Sequence, residues 1–264
     1  MQKLNRTDKQ KIESFCETAL KFNKSANFFG GPEALFGYAD CGKLYMSESF
    51  AGVFLLFDAG GFFRLYFAVT DKEAALPDDL LGASLPVVSE IAYRGAEPPP
   101  VLDCFFRCGF FSSLNRFRMS FQTGDFLKKE MAKAATGDLC EEIFNLFCAS
   151  FDRYTGCLPT LSELQKAAEE GRIVAACRNG ELCGALLYEN SGVVSTLCNL
   201  AVAQNMRSQG FGSSLVLQWR EKMAAENRPV LRLWVAQNNK GAIALYEKHD
   251  FKPDGMKSAV LIKN

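Results

Sequence analysis

The sequence predicts an α/β fold in which mixed, mostly antiparallel central sheets are flanked by helices. Short runs rich in β-branched and aromatic residues alternate with longer stretches of helical periodicity. The same order occurs twice along the chain: helix, three antiparallel strands, helix, strand, short helix and closing strands. The segment CFFRCGFF in the first half also mirrors LYEKHDFK in the second. We therefore expect two copies of one fold, with the border between residues 122 and 123.

The first half is predicted to begin with a helix and an antiparallel meander. Thr7 and Gln10 have the spacing of a capping box. The apolar face of this helix is predicted to comprise Ile12, Phe15, Cys16, Ala19 and Leu20. The runs GKLYMSES, AGVFLLFDAG and FFRLYFAVT then predict three strands separated by short turns. After the polar stretch DKEAALPDD come a strand (PVVSEIAYRG), a short helix (VLDCFFRCGFF) ending at Gly109, and a last strand (NRFRMSF).

The second half is predicted to begin with helices. Helical signals cover residues 126–151. Asp138 with Glu141, and Thr160 with Glu163, have capping-box spacing, which predicts two helix starts.

The remainder of the second half is predicted to form a hairpin followed by strand–helix pairs. RIVAAC and ELCGALLYE flank an Asn179-Gly180 turn, and VVSTLCNLAV predicts a third strand. A helix over residues 210–227 is predicted to place on one face Phe211, Leu215, Trp219 and Met223. The strand VLRLWV, a helix over residues 239–249 and a closing strand pair within FKPDGMKSAVLIKN complete the prediction.

The composition excludes several classes of protein. Thirty basic and thirty acidic side chains cancel, so bulk charge does not favour nucleic-acid binding. No apolar run reaches the ~18–20 residues of a membrane helix, and the start MQKLNRTDKQ is too polar for a signal peptide. The ten cysteines include no CxxC and His249 is the only histidine, so no metal site is expected. We expect reduced, mostly buried thiols and a cytoplasmic enzyme or binding protein.

The segment NLAVAQNMRSQGFGSSLVLQW, residues 199–219, joins a strand to a helix through two glycines. One interpretation is a turn that requires flexible backbone. A dinucleotide-binding turn fits poorly, because Leu215 stands where GxGxxG has its third glycine, and a P-loop would need Gly-Lys-Ser/Thr. An anion site fits best, because the spacing Arg-x-x-Gly-x-Gly leaves backbone N–H groups free at a helix N terminus, where the helix dipole favours a diphosphate.

Two motifs in this order resemble the GCN5-related N-acetyltransferase (GNAT) family. NLAVAQNMRSQGFGSSL is similar to the acetyl-CoA-binding motif of the family, Gln/Arg-x-x-Gly-x-Gly/Ala after the fourth strand. LWVAQNNKGAIALYEKHDF is similar to its second motif, with Asp250-Phe251 where the family usually has Gly-Phe. The resemblance implies tandem GNAT-like domains. Residues 1–122 would be a degenerate copy without the cofactor loop, and residues 123–264 an acetyl-CoA-binding domain.

The resemblance also implies which residues contact the cofactor. In the family, the strand before the loop splays from its neighbour and pairs with the pantetheine arm. Here the matching residues are Leu200, Ala201 and Val202, and the N–H of Val202 would polarise the thioester carbonyl. Asn239 would contact the pantetheine or begin the next helix. The diphosphate would lie against the backbone of Arg207, Ser208, Gln209, Gly210, Phe211 and Gly212.

Tyr246 matches the general acid of the family, which protonates the departing thiolate, although its place on an apolar helix face also fits core packing. The general base is not identified. Trp234 stands where some relatives that acetylate protein N termini have a glutamate. Asn199 lies near where other relatives hold an acid, yet it can only orient a water. Glu189 is a further candidate that also fits a solvated turn.

Two other candidates have simpler interpretations. His249 lies at the end of a helix, between Lys248 and Asp250, which favours capping or packing over base catalysis. Cys198 is interpreted as a small buried side chain, because no histidine is near it in sequence to activate an acyl-carrying thiolate.

The expected function is transfer of an acetyl group from acetyl-CoA to a primary amine, by direct attack in a ternary complex. A catalytically silent CoA-binding sensor or interaction module is the alternative, and a nucleotide-phosphate binder is a third possibility. The expected partner is a small-molecule or peptide amine, without nucleic acid or membrane. The chain is expected to be a monomer or homodimer. The sequence does not specify which amine accepts the acetyl group.

Overall fold

The computed structural model describes residues 1–28, 30–73, 75–122 and 137–264. These residues form two compact units. The first comprises Met1–Asn115 with Met256–Asn264, and the second comprises Arg116–Gly255. The sequence analysis places the border after residue 122, and its helical signals over residues 126–136 lie outside the described residues. No helix in the described ranges combines the length and the apolarity that crossing a bilayer requires.

The first unit is a sheet flanked by helices. Its elements are β1 Gln2–Lys3, α1 Lys9–Lys21, α2 Glu33–Asp40, β2 Leu44–Ser49, β3 Gly52–Asp58, β4 Phe63–Val69, α3 Asp78–Leu81, β5 Val87–Arg94, α4 Val101–Arg107, and parts of β6 Phe111–Gln122 and β11 Lys252–Lys263. The strand order is β1-β2-β3-β4-β5-β11. Strands β4 and β5 run parallel, and the other neighbours are antiparallel.

Three features of the first unit differ from the sequence predictions. The predicted capping box is not formed, because α1 begins at Lys9 and the Thr7 hydroxyl donates to Asn5 Oδ1 at 2.7 Å. Leu20 is 62% exposed, although the other four residues predicted on that face are buried. The sequence analysis missed α2 and α3, because both are short and lie beside glycine or proline, which leaves little helical periodicity.

The second unit has the same plan. Its elements are the remainder of β6, then α5 Cys140–Ser150, α6 Leu161–Glu169, β7 Ile173–Arg178, β8 Glu181–Ser191, β9 Val194–Val202, α7 Phe211–Ala225, β10 Val230–Ala236 and α8 Lys240–Lys248. The strand order is β6-β10-β9-β8-β7, in which β9 and β10 are parallel. Successive residues of β8 belong to different cores, one shared with α5 and α6 and the other with α7 and α8. The predicted mixed α/β fold is therefore confirmed.

The capping predictions of the second unit have opposite outcomes. The box at α6 is confirmed, because the Glu163 N–H donates to Thr160 Oγ1 at 3.2 Å and the Thr160 N–H donates to Glu163 Oε2 at 2.7 Å. The box predicted for Asp138 and Glu141 is not formed, because a 3-10 turn at Gly137–Leu139 precedes α5.

The predicted end of the chain was wrong. A closing strand pair was expected, whereas β11 is one continuous strand, Lys252–Lys263, that contains Pro253 and Gly255. Its later residues pair with β5, which follows α3 in the first unit, whereas β6 pairs with β10 of the second unit. Each unit thus takes its last strand from the other half of the sequence, an exchange that hydrophobic periodicity does not reveal.

Candidate active site

The parallel strands β9 and β10 separate and form a fork. Residues 194–197 of β9 pair with residues 230–233 of β10, and β9 then continues to Val202 while it pairs with β8 alone. The backbone N–H of Ala203 donates to Cys183 on the β8 side at 2.9 Å. Because successive N–H groups of a strand alternate in direction, those of Leu200 and Val202 point into the fork. We call the gap between residues 198–202 of β9 and 234–236 of β10 the cofactor fork.

A β-bulge lies where this fork begins. Leu187 pairs with Asn199 and Tyr188 pairs with Leu197, so Cys198 is an extra residue on β9. A bulge bends its strand and increases the local twist, which separates β9 from β10 at this point. Beyond the bulge, Leu200 packs in the core on the α7 side of the sheet.

The turn from β9 to α7 contains Gly210 and Gly212, and glycine occurs at these two positions for different structural reasons. Gly210 has φ +87°, and a Cβ there would have no atom within 4 Å, so the backbone conformation favours glycine while the space beside it is open. A Cβ on Gly212 would lie 3.3 Å from Leu245 Cδ2, so this glycine permits close packing of α7 against α8. Ser208 also adopts a left-handed conformation, with φ 60°.

Free backbone donors line this turn. The N–H groups of residues 208–213 donate no hydrogen bond within the described part of the chain, although the Ser214 N–H donates to the Gly210 carbonyl at 3.0 Å. The first turn of α7 carries no acidic residue. Unpaired donors and the positive end of the helix dipole therefore coincide beside the cofactor fork, which fits a diphosphate.

The side chains of the turn hold its shape. Arg207 Nε donates to the Val202 carbonyl at 3.3 Å. Arg178, at the end of β7, donates from Nη1 to Gln209 Oε1 at 2.8 Å, and its guanidinium lies 4.8 Å from the centre of the Phe211 ring. The sequence analysis missed Arg178, because it precedes the Asn179-Gly180 turn and only the pairing of β7 with β8 brings it to the loop.

Comparison with known proteins identifies this part of the chain. Residues 140–251 match the model of the "Acetyltransferase (GNAT) family". The second unit contains a GNAT domain. An acetyltransferase of Yersinia pseudotuberculosis and an uncharacterized N-acetyltransferase of Yersinia pestis are each 28% identical to this chain over 74 residues, which are 28% of this chain and 52% of each relative. The chain thus spans about half the length of the curated relatives it matches.

Solved structures show the fold of the whole chain. A GNAT protein from Sphaerobacter thermophilus has a TM-score of 0.65 at 12% identity, with 99% of this chain and 94% of that chain covered. A tandem GNAT protein from the clavulanic acid biosynthesis pathway also has a TM-score of 0.65, at 11% identity, with 99% and 97% covered. The predicted tandem GNAT-like fold is confirmed by these similarities.

Asn239 and Tyr246 lie at the N-cap and in the body of α8, within the residues that match the family model. Asn239 caps α8, because its side chain accepts a hydrogen bond from the Ala242 N–H at 3.1 Å. The ring of Tyr246 is 6% exposed and meets Phe251 edge-on at 6.1 Å between centroids. Its hydroxyl makes no hydrogen bond within the described part of the chain. Burial raises the pKa of Tyr246 well above its usual range, so the phenol keeps its proton at neutral pH.

His249 is a buried C-cap residue that contacts the cofactor helix. Its Nε2 lies 2.6 Å from Ser213 Oγ in the first turn of α7. Burial lowers the pKa of His249, and the charges of Arg220 and Lys248 lower it further against the opposing effect of Asp250. The imidazole is therefore neutral at pH 7, and it ties the end of α8 to the start of α7.

The candidate bases differ in their surroundings. Asn199 is 2% exposed, and its Nδ2 donates to the Gly156 carbonyl at 3.0 Å, while its buried Oδ1 has no partner in the described part of the chain. The carboxylate of Glu189 is held by Arg172 in an exposed ion pair. Trp234 lies on β10 at the mouth of the cofactor fork, where its ring is 5.8 Å from the Arg118 guanidinium.

The expectation of mostly buried thiols was wrong. Four of the ten cysteines are buried, and Cys198 is exposed, because the bulge turns it out of the sheet. Desolvation of the thiol, followed by the negative charge of Glu189, raises the pKa of Cys198 to about 12. The thiol is therefore protonated at neutral pH and is a poor nucleophile.

Proposed function

We propose that the GNAT domain moves an acetyl group from acetyl-CoA to a primary amine by direct attack in a ternary complex. The observation that carries this proposal is the coincidence of six successive unpaired N–H groups, residues 208–213, with an open fork between parallel strands. A turn that served only to reverse the chain would need neither the free donors nor the separation of β9 from β10.

The backbone of the domain would hold the donor in two places. Of the predicted residues 207–212, residues 208–212 bind the diphosphate through their free N–H groups, because the N–H of Arg207 already donates to the Gln204 carbonyl. The charges of Arg207 and Arg178 lie beside these donors. Leu200 and Val202 direct their N–H groups into the cofactor fork, where they pair with the amide groups of the pantetheine arm. The N–H of Val202 then polarises the thioester carbonyl and stabilises the developing oxyanion.

Acetyl-CoA supplies an activated acyl carbon, at which a C–N bond to the amine forms while the C–S bond breaks. Tyr246 donates its phenolic proton to the departing thiolate. Its raised pKa keeps that proton in place until the sulfur becomes basic. The proton that the amine loses passes to water, which Asn199 can orient, because Trp234 provides no carboxylate at the strand position that a base would occupy.

The alternative function, a CoA-binding module without catalysis, is favoured by this lack of a base. One experiment distinguishes the two functions. Calorimetry is expected to show one acetyl-CoA bound per chain, and thiol release across a panel of amines is expected to exceed the rate without protein. Binding without thiol release would support the silent module. Preferred binding of ATP or NAD over CoA, or two equivalent CoA sites, would contradict the proposal.

A further inference from the structure

The second unit presents a polar face on the side of its sheet opposite α7. Leu231, Leu233 and Val235 of β10 belong to the core that contains α7. Because strand side chains alternate, Arg232 and Trp234 lie on the opposite face. The cofactor fork opens beside Trp234, so an acceptor that reaches the fork from this face would not meet the helix that holds the diphosphate.

The loop between α5 and α6 lies on this same face. Arg116 of β6 donates to the Thr155 carbonyl, and Asn199 of β9 donates to the next carbonyl, that of Gly156, at 3.0 Å. Since β10 lies between β6 and β9, the loop is held at residues 155 and 156 by side chains from the two strands that flank β10. The loop is therefore held next to the cofactor fork, on the face that carries Arg232 and Trp234.

Two polar groups on this face have no hydrogen-bond partner among the residues that the structure describes. Asn199 is almost fully buried, yet its Oδ1 accepts no hydrogen bond. The orientation of this amide is fixed, because its Nδ2 must face the Gly156 carbonyl. Arg232 Nε is also buried without a hydrogen bond. Buried polar groups are nearly always paired, so an unpaired acceptor and an unpaired cationic donor point to a ligand that completes both.

The other charges of this face are engaged. Arg118 Nε donates to Asp254 at 2.7 Å. Glu189 and Arg232 lie on either side of Thr196 across three neighbouring strands, but the carboxylate of Glu189 is held by Arg172. Within the described ranges, the guanidinium of Arg232 forms no ion pair, which leaves its positive charge available to a ligand.

We propose that the amine acceptor of this domain also carries an oxyanion group, a carboxylate or a phosphate, that Arg232 binds. This inference rests on the proposed function and specifies its substrate class. A guanidinium matches such an oxyanion with two parallel hydrogen bonds. Asn199 Oδ1 accepts a hydrogen bond from the amine nitrogen, which orients its lone pair towards the fork. Trp234 lies two residues beyond Arg232 on the same face of β10, and its ring supports the apolar chain that joins amine and anion.

The test measures the binding of matched amines to the full chain saturated with CoA, by calorimetry. The pairs are γ-aminobutyrate with butylamine, and phosphoethanolamine with ethanolamine. In at least one pair, the anionic member is expected to bind at least about tenfold more tightly than its neutral counterpart, the effect of one charge-assisted pair. The pair that shows the effect distinguishes carboxylate from phosphate recognition.

Variants assign this preference to one residue. Arg232→Gln is expected to reduce it below about threefold, and Arg232→Lys, which keeps the charge without the planar fork, to leave an intermediate value. Arg228→Gln is the matched control. It removes the same charge from a residue paired with Glu226, two positions before β10, and is expected to leave the preference intact.

The outcomes separate the inference from the proposed function. Equal affinities within both pairs, no measurable binding of either anionic amine, or a preference that survives Arg232→Gln would overturn the inference, even if amines are acetylated. A preference that depends on Arg232 would support it, even if no thiol release accompanies binding, and that second result would count against the proposed function alone.

Discussion

Both units contain a fork between parallel strands, but the chain itself fills the fork of the first unit. There, β4 and β5 pair in parallel at Phe63–Val87 and Arg64–Val88. Asn27, in the connection between α1 and α2, enters the space beyond these pairs. In the second unit, the corresponding connection is held at the side of the fork through Asn199, and no side chain in the described ranges links β9 to β10 by hydrogen bonds beyond their last pair.

Asn27 satisfies the backbone groups that a ligand would otherwise use. Its Nδ2 lies 3.0 Å from the Leu65 carbonyl, 3.2 Å from that of Glu90 and 3.0 Å from Ser89 Oγ, and its Oδ1 accepts from the Phe67 N–H at 2.7 Å. Its backbone N–H donates to the Phe67 carbonyl at 3.2 Å. Phe67 lies three residues beyond the last β4–β5 pair, as Leu200 lies three residues beyond the last β9–β10 pair.

The helices that follow the two forks differ as well. The helix after β4 is the four-residue α3, whose first turn carries Asp78 and Asp79. The helix after β9 is the fifteen-residue α7, whose first turn carries no acid. Carboxylates at a helix N terminus occupy the positive end of the dipole and repel a phosphate. The filled fork and the acidic helix start both support our proposal that only the second unit binds the cofactor.

The largest effect is expected from removing the side chain that fills the first fork. Asn27→Ala deletes four side-chain hydrogen-bond contacts and leaves buried strand groups unpaired, so we expect a loss of about 3 kcal/mol in the free energy of unfolding. Asn199→Ala, the matched change in the second unit, deletes one hydrogen bond and is expected to cost about 1 kcal/mol. Urea denaturation compares the two variants, and equal losses would contradict the difference between the forks.

The second effect concerns catalysis. Phe105 and Phe110 of the first unit meet edge-on at 5.1 Å, and Tyr246 and Phe251 repeat this contact at the same spacing in sequence. Tyr246→Phe therefore gives the second unit the same ring that the first unit has at Phe105, and it removes only the hydroxyl. We expect kcat to fall by roughly 100-fold, within the range of general-acid catalysis. The melting temperature and the Kd for CoA are expected to stay unchanged, and a kcat within threefold of the wild type would exclude Tyr246 as the acid.

The third effect transfers the acidic helix start of the first unit to the second. Gly210→Asp places a carboxylate at the N-cap of α7, where φ is +87°, a conformation that Asp tolerates better than most residues. The carboxylate competes for the free N–H groups and repels the diphosphate, so we expect roughly 30-fold weaker CoA binding by calorimetry. Gly210→Asn has the same shape without the charge and is expected to weaken binding by less than about threefold. Equal losses would show that shape, not charge, governs the turn.

Much of the fold could be predicted from sequence because local residue patterns determine its turns, helix starts and strands. The Asn179-Gly180 turn, the Thr160–Glu163 box and the alternating strands of both meanders depend on residues close together in the chain. The exchange of β6 and β11 between units could not be predicted, since it depends on which distant strand each one meets. Helices α2 and α3 were missed because so few turns give no measurable periodicity.

The candidate site likewise has parts that could be predicted from the sequence and parts that could not. The cofactor loop is contiguous, so its glycines and its following helix were visible in the sequence. Arg178 and Arg232 come to the site from strands outside the loop, and neither lies in a motif. That Asn27 fills the first fork could not be predicted for the same reason, because its partners lie on β4 and β5, remote from it in sequence.

The smallest effect concerns a position at which the two units have different residues in the same backbone conformation. Gly109 follows α4 with φ 84°, and Asp250 follows α8 with φ 64°. Glycine adopts this left-handed conformation without a Cβ penalty, so Asp250→Gly is expected to raise the free energy of unfolding by about 0.5 kcal/mol. This gain already subtracts the ion pair with Arg220, at 3.7 Å, which contributes little because the Asp250 carboxylate is exposed to solvent.

Asp250→Ala completes that comparison, because it removes the same carboxylate while it keeps a Cβ at a left-handed position. We expect it to lower the free energy of unfolding by about 1 kcal/mol, so the two variants should move in opposite directions in urea denaturation. Both lose the charge that raises the pKa of His249, so this electrostatic change cancels between them. If the glycine and alanine variants were equally stable, backbone conformation would not explain why a glycine follows α4. Any effect of replacing Asp250 would then come from the loss of its charge alone.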